Sequence, residues 1–369
     1  MDKLKRYIDI YVPVEACTLR CHYCYITHHR LFANKLPKFK HSPELFRKAL
    51  SKKRLGGTCL LNFCGGGETL LPPELPQYIR AVLEEGHYVS IVTNATIDRA
   101  FDEISKFPKD LLERTFFKFS YHYIQLKERK LFDKFFNNIR KVRDAGASFT
   151  LEATPSDELI PYIQEMQSLA IKEVGAVCHI SVARDEHDLS KLNILTNLSK
   201  NDYKKTWSVF RSQLFDYKFS IFNVKRNEFC HAGDWTLSLD MNSGILGQCY
   251  KSIYNQNIYD NINKPLKFKA IGCHCLQPHC FNGHSWIVLG TIPDLKAPTY
   301  ADLRNRACNN GTEWLQPQMK EFLSQKLYEN NEEYSPLKKL LINAEMSIRE
   351  SANKALQKGF LIFNKIRHK

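Results

Sequence analysis

No apolar run in this 369-residue chain approaches the ~20 residues that a membrane-crossing helix needs, so no helical membrane span is expected. The opening Met-Asp-Lys-Leu-Lys-Arg lacks the apolar core of a secretory signal and runs into a short strand, which makes the cytoplasm the expected location. Internal repeats and low-complexity tracts are absent, which excludes solenoids and disordered arrays. In a reducing compartment disulfides are not expected, so the twelve cysteines point to metal or redox duty. No acid stands between Ile26 and Pro43, where Arg30, Lys35, Lys38, Lys40 and three histidines do. Within a chain of net charge +14 that stretch is either a solvated basic surface or a rim that attracts an acidic or phosphorylated substrate. No recognised RNA-binding motif accompanies the charge, which argues against a nucleic-acid partner. Hydrophobic residues make up 43% of the chain and aromatic ones 12%, enough to fill the core of one large domain and a smaller one.

The most informative residues are Cys17, Cys21 and Cys24, in the run Cys17-Thr18-Leu19-Arg20-Cys21-His22-Tyr23-Cys24, spaced C-x3-C-x2-C. Three thiolates on one short loop can grip a single iron–sulfur cluster. A cubane has four irons, so one iron keeps an open position for a small molecule. The loop follows the apolar, β-rich run Tyr7 to Val14, at the carboxyl end of a first strand, where parallel α/β folds build their active sites. Zinc is the competing reading. A fourth ligand at zinc-finger spacing is missing nearby, although His22, His28 and His29 keep the alternative open. Forty residues on, the strand-like Leu60-Leu61-Asn62-Phe63-Cys64 runs into Gly65-Gly66-Gly67-Glu68.

The cysteine spacing, the aromatic Tyr23 before the third cysteine, and the glycine turn in this order resemble the radical S-adenosylmethionine (SAM) enzymes. The resemblance implies a 4Fe–4S cluster on Cys17, Cys21 and Cys24, with SAM chelated at the open iron. Gly65, Gly66, Gly67 and Glu68 would meet the methionine part of SAM, because glycines let main chain approach a ligand closely. Tyr23 would lie by the adenine. Strand ends would supply the other contacts: Thr93 and Asn94, Ser120 and His122, Glu152, and Arg184. Of these, Ser120 and Glu152 suit ribose hydroxyls and Arg184 suits the SAM carboxylate.

Strand-like runs at Tyr7–Val14, Thr58–Cys64, Val89–Asn94, Phe116–His122, Ser148–Thr154 and Ala176–Ala183 alternate with helical patterns near 43–54, 73–86, 98–106, 127–145 and 157–172. That alternation predicts a parallel sheet, and six units fit the partial (β/α)6 barrel of the family. Ser42-Pro43 and Ser156 read as helix starts and Gly146 as a helix end. Residues 186–215 read as helical, Lys218 to Ile292 as strand- and loop-rich, and 300–369 as mostly helical. Ser335-Pro336 opens a late helix whose apolar face, Leu337, Leu340, Leu341, Ala344 and Ile348, is expected to pack on the core. The terminal Phe360-Leu361-Ile362-Phe363 is too short for more than a weak membrane contact. The expected domains are therefore a barrel over 1–215, a small cysteine-rich domain over 216–295 and a helical extension over 296–369.

Five cysteines fall in the middle domain. Cys230-x13-Gly244-x4-Cys249, followed by Cys273, Cys275 and Cys280, resembles a SPASM or twitch domain, the auxiliary iron–sulfur module of many radical SAM enzymes. Trp235–Leu239 and Ile245–Gln248 would form its hairpin, joined by Asn242-Ser243-Gly244. A full SPASM domain uses seven cysteines and holds two clusters. Five suffice for one auxiliary 4Fe–4S cluster, with Cys230, Cys249 and Cys280 as ligands and Cys275 preferred over Cys273 as the fourth. Structural zinc is the alternative here as well. Cys59, Cys64, Cys178 and Cys308 read as buried thiols.

The resemblance implies an oxidoreductase. SAM would be cleaved reductively to a 5′-deoxyadenosyl radical that abstracts hydrogen from a peptide or a small, sugar-like molecule, and the auxiliary cluster would take up an electron. A flavodoxin or ferredoxin would supply the reducing electron. Only about six residues precede the first strand, which leaves no room for a leader-binding domain and shifts weight toward a small substrate. Two alternatives stand beside this reading: an epimerase in which Cys64, Cys178 or Cys273 returns hydrogen, and a zinc-binding, non-catalytic nucleic-acid protein.

Overall fold

A computed structural model of the chain describes residues 2–33, 35–187, 192–250, 254–275, 277–349 and 351. Six strands run parallel in chain order: β1 (Arg6–Val12), β2 (Cys59–Gly65), β3 (Tyr88–Thr93), β4 (Thr115–Ser120), β5 (Ser148–Ala153) and β6 (His179–Ile180). Helices cross between them, as in a (β/α)6 barrel left open. The first five strands are nearly continuous apolar runs because both faces are covered. Ile8, Ile10, Leu61, Phe63, Ile91, Phe117, Phe119 and Leu151 pack against the crossing helices. The alternate residues Tyr7, Leu60, Tyr88 and Phe116 pack against Trp235, Trp286, Tyr300 and Phe322 of the later chain. Higher on that second, concave face the inward positions turn polar: Asp9, Asn62, Ser90, Lys118 and Glu152.

Past β6 come a two-stranded hairpin, β7 (Arg184–Asp185) with β8 (Asn193–Ile194), and then β9 (Thr236–Asp240), β10 (Ile245–Gly247) and β11 (Asn255–Asn257). β9 lies parallel to β1, so the barrel sheet continues unbroken in the order β11-β10-β9-β1-β2-β3-β4-β5-β6. Arg6 fixes that seam through Asp234, at 2.9 Å with both groups buried.

Several helix boundaries differ from the sequence reading. The expected helix at 43–54 is two, Pro43–Ala49 and Lys52–Leu55, the first capped by Ser42 Oγ, which accepts from Leu45 N at 3.2 Å. The helix at 127–145 is also two, Tyr123–Glu128 and Phe132–Asp144. The pattern at 157–172 opens as a 3-10 turn, Asp157–Tyr162, before helix Ile163–Val174. Ser156 does not cap it: the Ser156 hydroxyl is buried without a partner, while Asp157 turns away to accept from Thr196 Oγ1 and Asn197 N, each at 2.6 Å. Among the described residues of 186–215, only Lys200–Trp207 and the start of Gln213–Ser220 are α-helical, with a 3-10 turn, Ser208–Phe210, between them, because Arg184–Asp185 and Asn193–Ile194 pair as β7 and β8.

The last third departs most. Residues 301–316 are turns and one bridge, followed by helices Pro317–Leu323, Leu327–Asn330 and 336–349. Ser335 Oγ accepts from Lys338 N at 3.3 Å, so the helix start stands where the Ser-Pro pair puts it. Its buried face does not: Leu337, Leu340, Leu341 and Ile348 are each more than 60% exposed, and Ile342 and Met346 pack on Phe229 and Ala270 instead. Polar anchors select that face, since Glu345 pairs with Lys269 at 2.5 Å and Asn343 Oδ1 accepts from Cys273 N at 3.0 Å. Residues 360–363 lie outside the described residues. No helix among the described residues is long and apolar enough to cross a membrane.

Candidate active site

The loop leaving β1 is folded onto itself by its own hydrogen bonds. Cys24 N donates to Cys21 O at 3.1 Å and Thr27 Oγ1 to the same carbonyl at 2.8 Å. Arg20 Nη1 donates to Cys17 O at 2.5 Å and to Leu19 O at 2.9 Å. The result is that Cys17, Cys21 and Cys24 line one cavity, whose facing wall is Gly65, Gly66, Gly67, Glu68, Asn94, Ser120 and His122. The carboxyl ends of β1, β2, β3 and β4 thus meet at one point, as a parallel barrel requires. Burial pushes the Cys17 thiol up to about 11 and the Cys21 thiol to about 12, and raises Cys24 as well. A metal centre seated there would displace those protons. Asn94 Nδ2 donates to Cys17 Sγ at 3.6 Å and to Thr18 Oγ1 at 3.0 Å, tying the third strand to the first cysteine.

The glycine turn is shaped by this loop. A Cβ at Gly67 would lie 2.0 Å from Ala16 O, and one at Gly65 2.6 Å from Val14 Cγ1. Gly67 N donates to Val14 O at 2.5 Å and Glu68 N to Ala16 O at 2.9 Å, so the turn is laced to the strand that carries the cysteines. Close approach of main chain to main chain, beside any approach to a ligand, is what demands glycine. Gly67→Ala would gain about 0.4–1 kcal/mol from a stiffer unfolded chain, but overpacking against a backbone oxygen costs about 1–3 kcal/mol and wins. The variant is expected to unfold at lower urea concentration. An unchanged midpoint would contradict the packing. Glu68 is buried and engaged: Oε1 accepts from Thr93 Oγ1 at 2.6 Å and Leu70 N at 3.0 Å, and Oε2 from Asn94 N at 2.8 Å. Burial raises its pKa against the lowering effect of those three bonds.

The remaining candidates divide. Tyr23 Oη pairs with His122 Nδ1 at 2.7 Å, beside the cavity, and burial lowers His122 to about 4, so its ring stays neutral. Glu152 and Arg184 do not line the cavity. Glu152 pairs with Arg304 at 3.2 Å and Arg184 with Glu186 at 2.6 Å. Thr69 lines the cavity and was not foreseen. Thr69 Oγ1 accepts from Gly65 N at 2.9 Å, and its position directly after Glu68 is the only signal the sequence offers.

The second group of cysteines also converges. The β9–β10 hairpin forms as expected, turned by Asp240 Oδ1, which accepts from Asn242 N and Ser243 N at 2.9 and 3.0 Å, and by Gly244 at φ +76. Cys280 sits within electrostatic reach of Cys249, Cys230 and Cys275, and burial pushes its thiol far up. Cys230, raised to about 12 by burial, feels Cys275 and more weakly Cys273. Cys273 is exposed, and its Sγ accepts from Asn343 Nδ2 at 3.6 Å. Among the described residues, only His28, Asp185 and His187 bring three ligand atoms within 4.8 Å of one another.

Residues 11–154 match the family model described as the Radical SAM superfamily. This stretch is a radical SAM domain. A domain of this family uses a 4Fe–4S cluster and SAM, and the donor set just described fits both. The match runs from the end of β1 through β5; β6 and the auxiliary cysteines lie beyond it. A search of curated proteins finds no match. Solved structures similar to the chain include SuiB of Streptococcus suis, at 15% identity over 71% of this chain and 65% of that one, with a TM-score of 0.46. This chain thus spans just under two thirds of SuiB. They also include anSMEcpe with bound AdoMet and Cp18Cys peptide, at 14% identity over 95% and 99% and a TM-score of 0.47, and BtrN in complex with AdoMet and 2-DOIA, at 11% over 90% and 92% and a TM-score of 0.30.

Proposed function

We propose that the chain is a radical SAM enzyme that acts on a small molecule or peptide held on the concave face of the barrel, and that one auxiliary cluster supports an oxidative outcome. The observation that carries this reading is the convergence of Cys17, Cys21 and Cys24 with Gly65–Glu68, Asn94 and Ser120 on one cavity. When bound, the cluster and SAM would supply reductive cleavage to methionine and a 5′-deoxyadenosyl radical able to take hydrogen from substrate. The protein's share is position and exclusion of water. The three thiolates hold the cluster and leave one iron open. The Gly65–Gly67 main chain receives the methionine end of SAM, Glu68 locks that turn to β3, and Ser120 faces the ribose. Tyr23, steadied by His122, closes the adenine side. Leu19, Ile26 and Phe32 line the same cavity and keep water out.

The domain division at 215 and 295, with the auxiliary ligands Cys230, Cys249, Cys275 and Cys280, belongs to the same proposal. A flavodoxin or ferredoxin is the proposed electron donor. Cys275→Ser is expected to lower the iron content by about four per chain, the content of one 4Fe–4S cluster, whereas Cys273→Ser should leave it unchanged. Iron loss from the Cys273 variant instead would reverse the assignment. A second reading, epimerisation with a cysteine returning hydrogen, is favoured at one position. Cys64 stands at the top of β2 within electrostatic reach of Asp9, Lys118 and Glu68, while Cys178 is fully buried and Cys273 is held by Asn343 at the surface. The test of the main reading is anaerobic incubation of the iron-loaded protein with SAM and dithionite. 5′-Deoxyadenosine is the expected product, and intact SAM in a protein carrying its full iron would overturn the reading.

A further inference from the structure

The concave face between the SAM cavity and the auxiliary cysteines carries more positive charge than it neutralises. Lys118 lies two residues before Ser120 on β4, so it points to the same face, about 6.6 Å further down the strand. It is only 9% exposed, yet its ammonium has no hydrogen-bond or ion-pair partner among the described residues. Lys218, on helix Gln213–Ser220, reaches over the same space, where its Nζ donates only to Ser181 Oγ at 2.9 Å. Arg304 is fully buried against Tyr300; its Nε lies 3.2 Å from Glu152 Oε1, and its Nη2 makes no hydrogen bond.

The acids nearby are already committed. Glu152 faces Arg304 at 3.2 Å, and Glu186 faces Arg184 at 2.6 Å. Asp9 accepts from Asn62 at 2.6 Å, Asn282 at 2.8 Å and Tyr250 at 2.9 Å. Pairing off the two arginines leaves Lys118 and Lys218 with no carboxylate in contact, while Asp9, held only by neutral donors, keeps its own charge on the β1 side of the face. Burial, Arg184, Arg304 and Lys118 together push the Lys218 ammonium down to about 7, against the opposing pull of Glu152. A buried, unpartnered cation is expensive, and no structural ion pair offsets the cost here. Such an arrangement is sustained when a ligand brings the missing charge.

We infer that this face binds a dianionic phosphoryl group, and that the substrate of the proposed radical chemistry is a small phosphorylated molecule. The inference rests on the radical SAM reading for the role of the ligand, but not for its binding. Two ammonium groups with no carboxylate in contact suit the two charges of a phosphate ester, and the unbonded Nη2 of Arg304 supplies a further donor for its oxygens. The phosphoryl group would be held by Lys118 and Lys218, one rung below Ser120, which leaves the rest of the molecule directed at the cavity where SAM is cleaved.

The test is equilibrium binding of methyl phosphate and of inorganic phosphate to the anaerobically purified, iron-loaded protein, by calorimetry, with succinate as the carboxylate dianion. Phosphate binding is expected to weaken at least tenfold in Lys118→Met and in Lys218→Met. Lys118→Met, without ligand, should unfold at a higher temperature than the parent, because it removes a buried unpaired charge. Unchanged phosphate binding in the folded variants would overturn the inference, as would succinate binding as tightly as phosphate. If a variant fails to fold, phosphorus relaxation in the dithionite-reduced parent decides: enhancement by the nearby paramagnetic clusters supports the site, and its absence sinks it. SAM cleavage by the parent protein is scored separately. A protein that cleaves SAM but ignores phosphate loses only this inference; one that binds phosphate through Lys118 and Lys218 but never cleaves SAM keeps the anion site and loses the radical reading.

Discussion

Replacing Cys17, Cys21 and Cys24 together by alanine is expected to remove about four irons per chain, the content of one 4Fe–4S cluster, and to abolish 5′-deoxyadenosine formation. The two effects should come together because the three cysteines face the same cavity as Gly65–Glu68. The fold should survive the change. The loop is held by main-chain and Arg20 bonds that do not involve the thiols, and Leu19 and Ile26 stay buried beneath it. Removing three thiols from the loop after β1, of which only Cys21 is buried, leaves the cores on both sheet faces intact. Unfolding by urea should therefore occur near the midpoint of the cluster-free parent. A triple variant that still cleaves SAM would remove these residues from the chemistry.

The iron left in that triple variant carries the second large effect. If Cys230, Cys249, Cys275 and Cys280 hold their own cluster, about eight irons per chain in the parent should fall to about four. This second cluster would have a protein thiolate on every iron, so no iron is open to SAM. It should act as an electron acceptor or a clamp, and the variant should be brown and inert together. A folded triple variant with no iron would mean that the later cysteines hold no cluster. Zinc in it would leave them a structural clamp and weaken the oxidative reading.

How much of this was legible depends on what each segment packs against. Strands β1 to β5 read almost to the residue, because a parallel strand covered on both faces is an unbroken apolar run bounded by turns. The last strand shrinks from the expected 176–183 to His179–Ile180, and Arg184–Asp185 pairs with Asn193–Ile194 instead of continuing it, since the chain there leaves the sheet. Periodicity marked Leu337, Leu340 and Leu341 as a buried face, but the contacts of Asn343 and Glu345 with Cys273 and Lys269, seventy or more residues away in sequence, turn a neighbouring stripe inward. The same long-range contact reaches Cys273, whose Sγ accepts from Asn343 Nδ2. In the site, cysteines and glycines announced themselves because few other residues can do their work. Glu152 and Arg184 are general-purpose polar residues at strand ends, and each has been taken by a nearer opposite charge. Lys118 reads as an interruption in a strand of phenylalanines, and only the concave face gives it a purpose.

The central claim is that the cluster on Cys17, Cys21 and Cys24 has an open iron that SAM occupies. Electron paramagnetic resonance of the dithionite-reduced protein tests it most directly. The account predicts a reduced-cluster signal that shifts when SAM is added, and whose SAM-sensitive part is missing from the triple alanine variant. A colourless protein carrying zinc, or a signal that SAM leaves untouched, would contradict it.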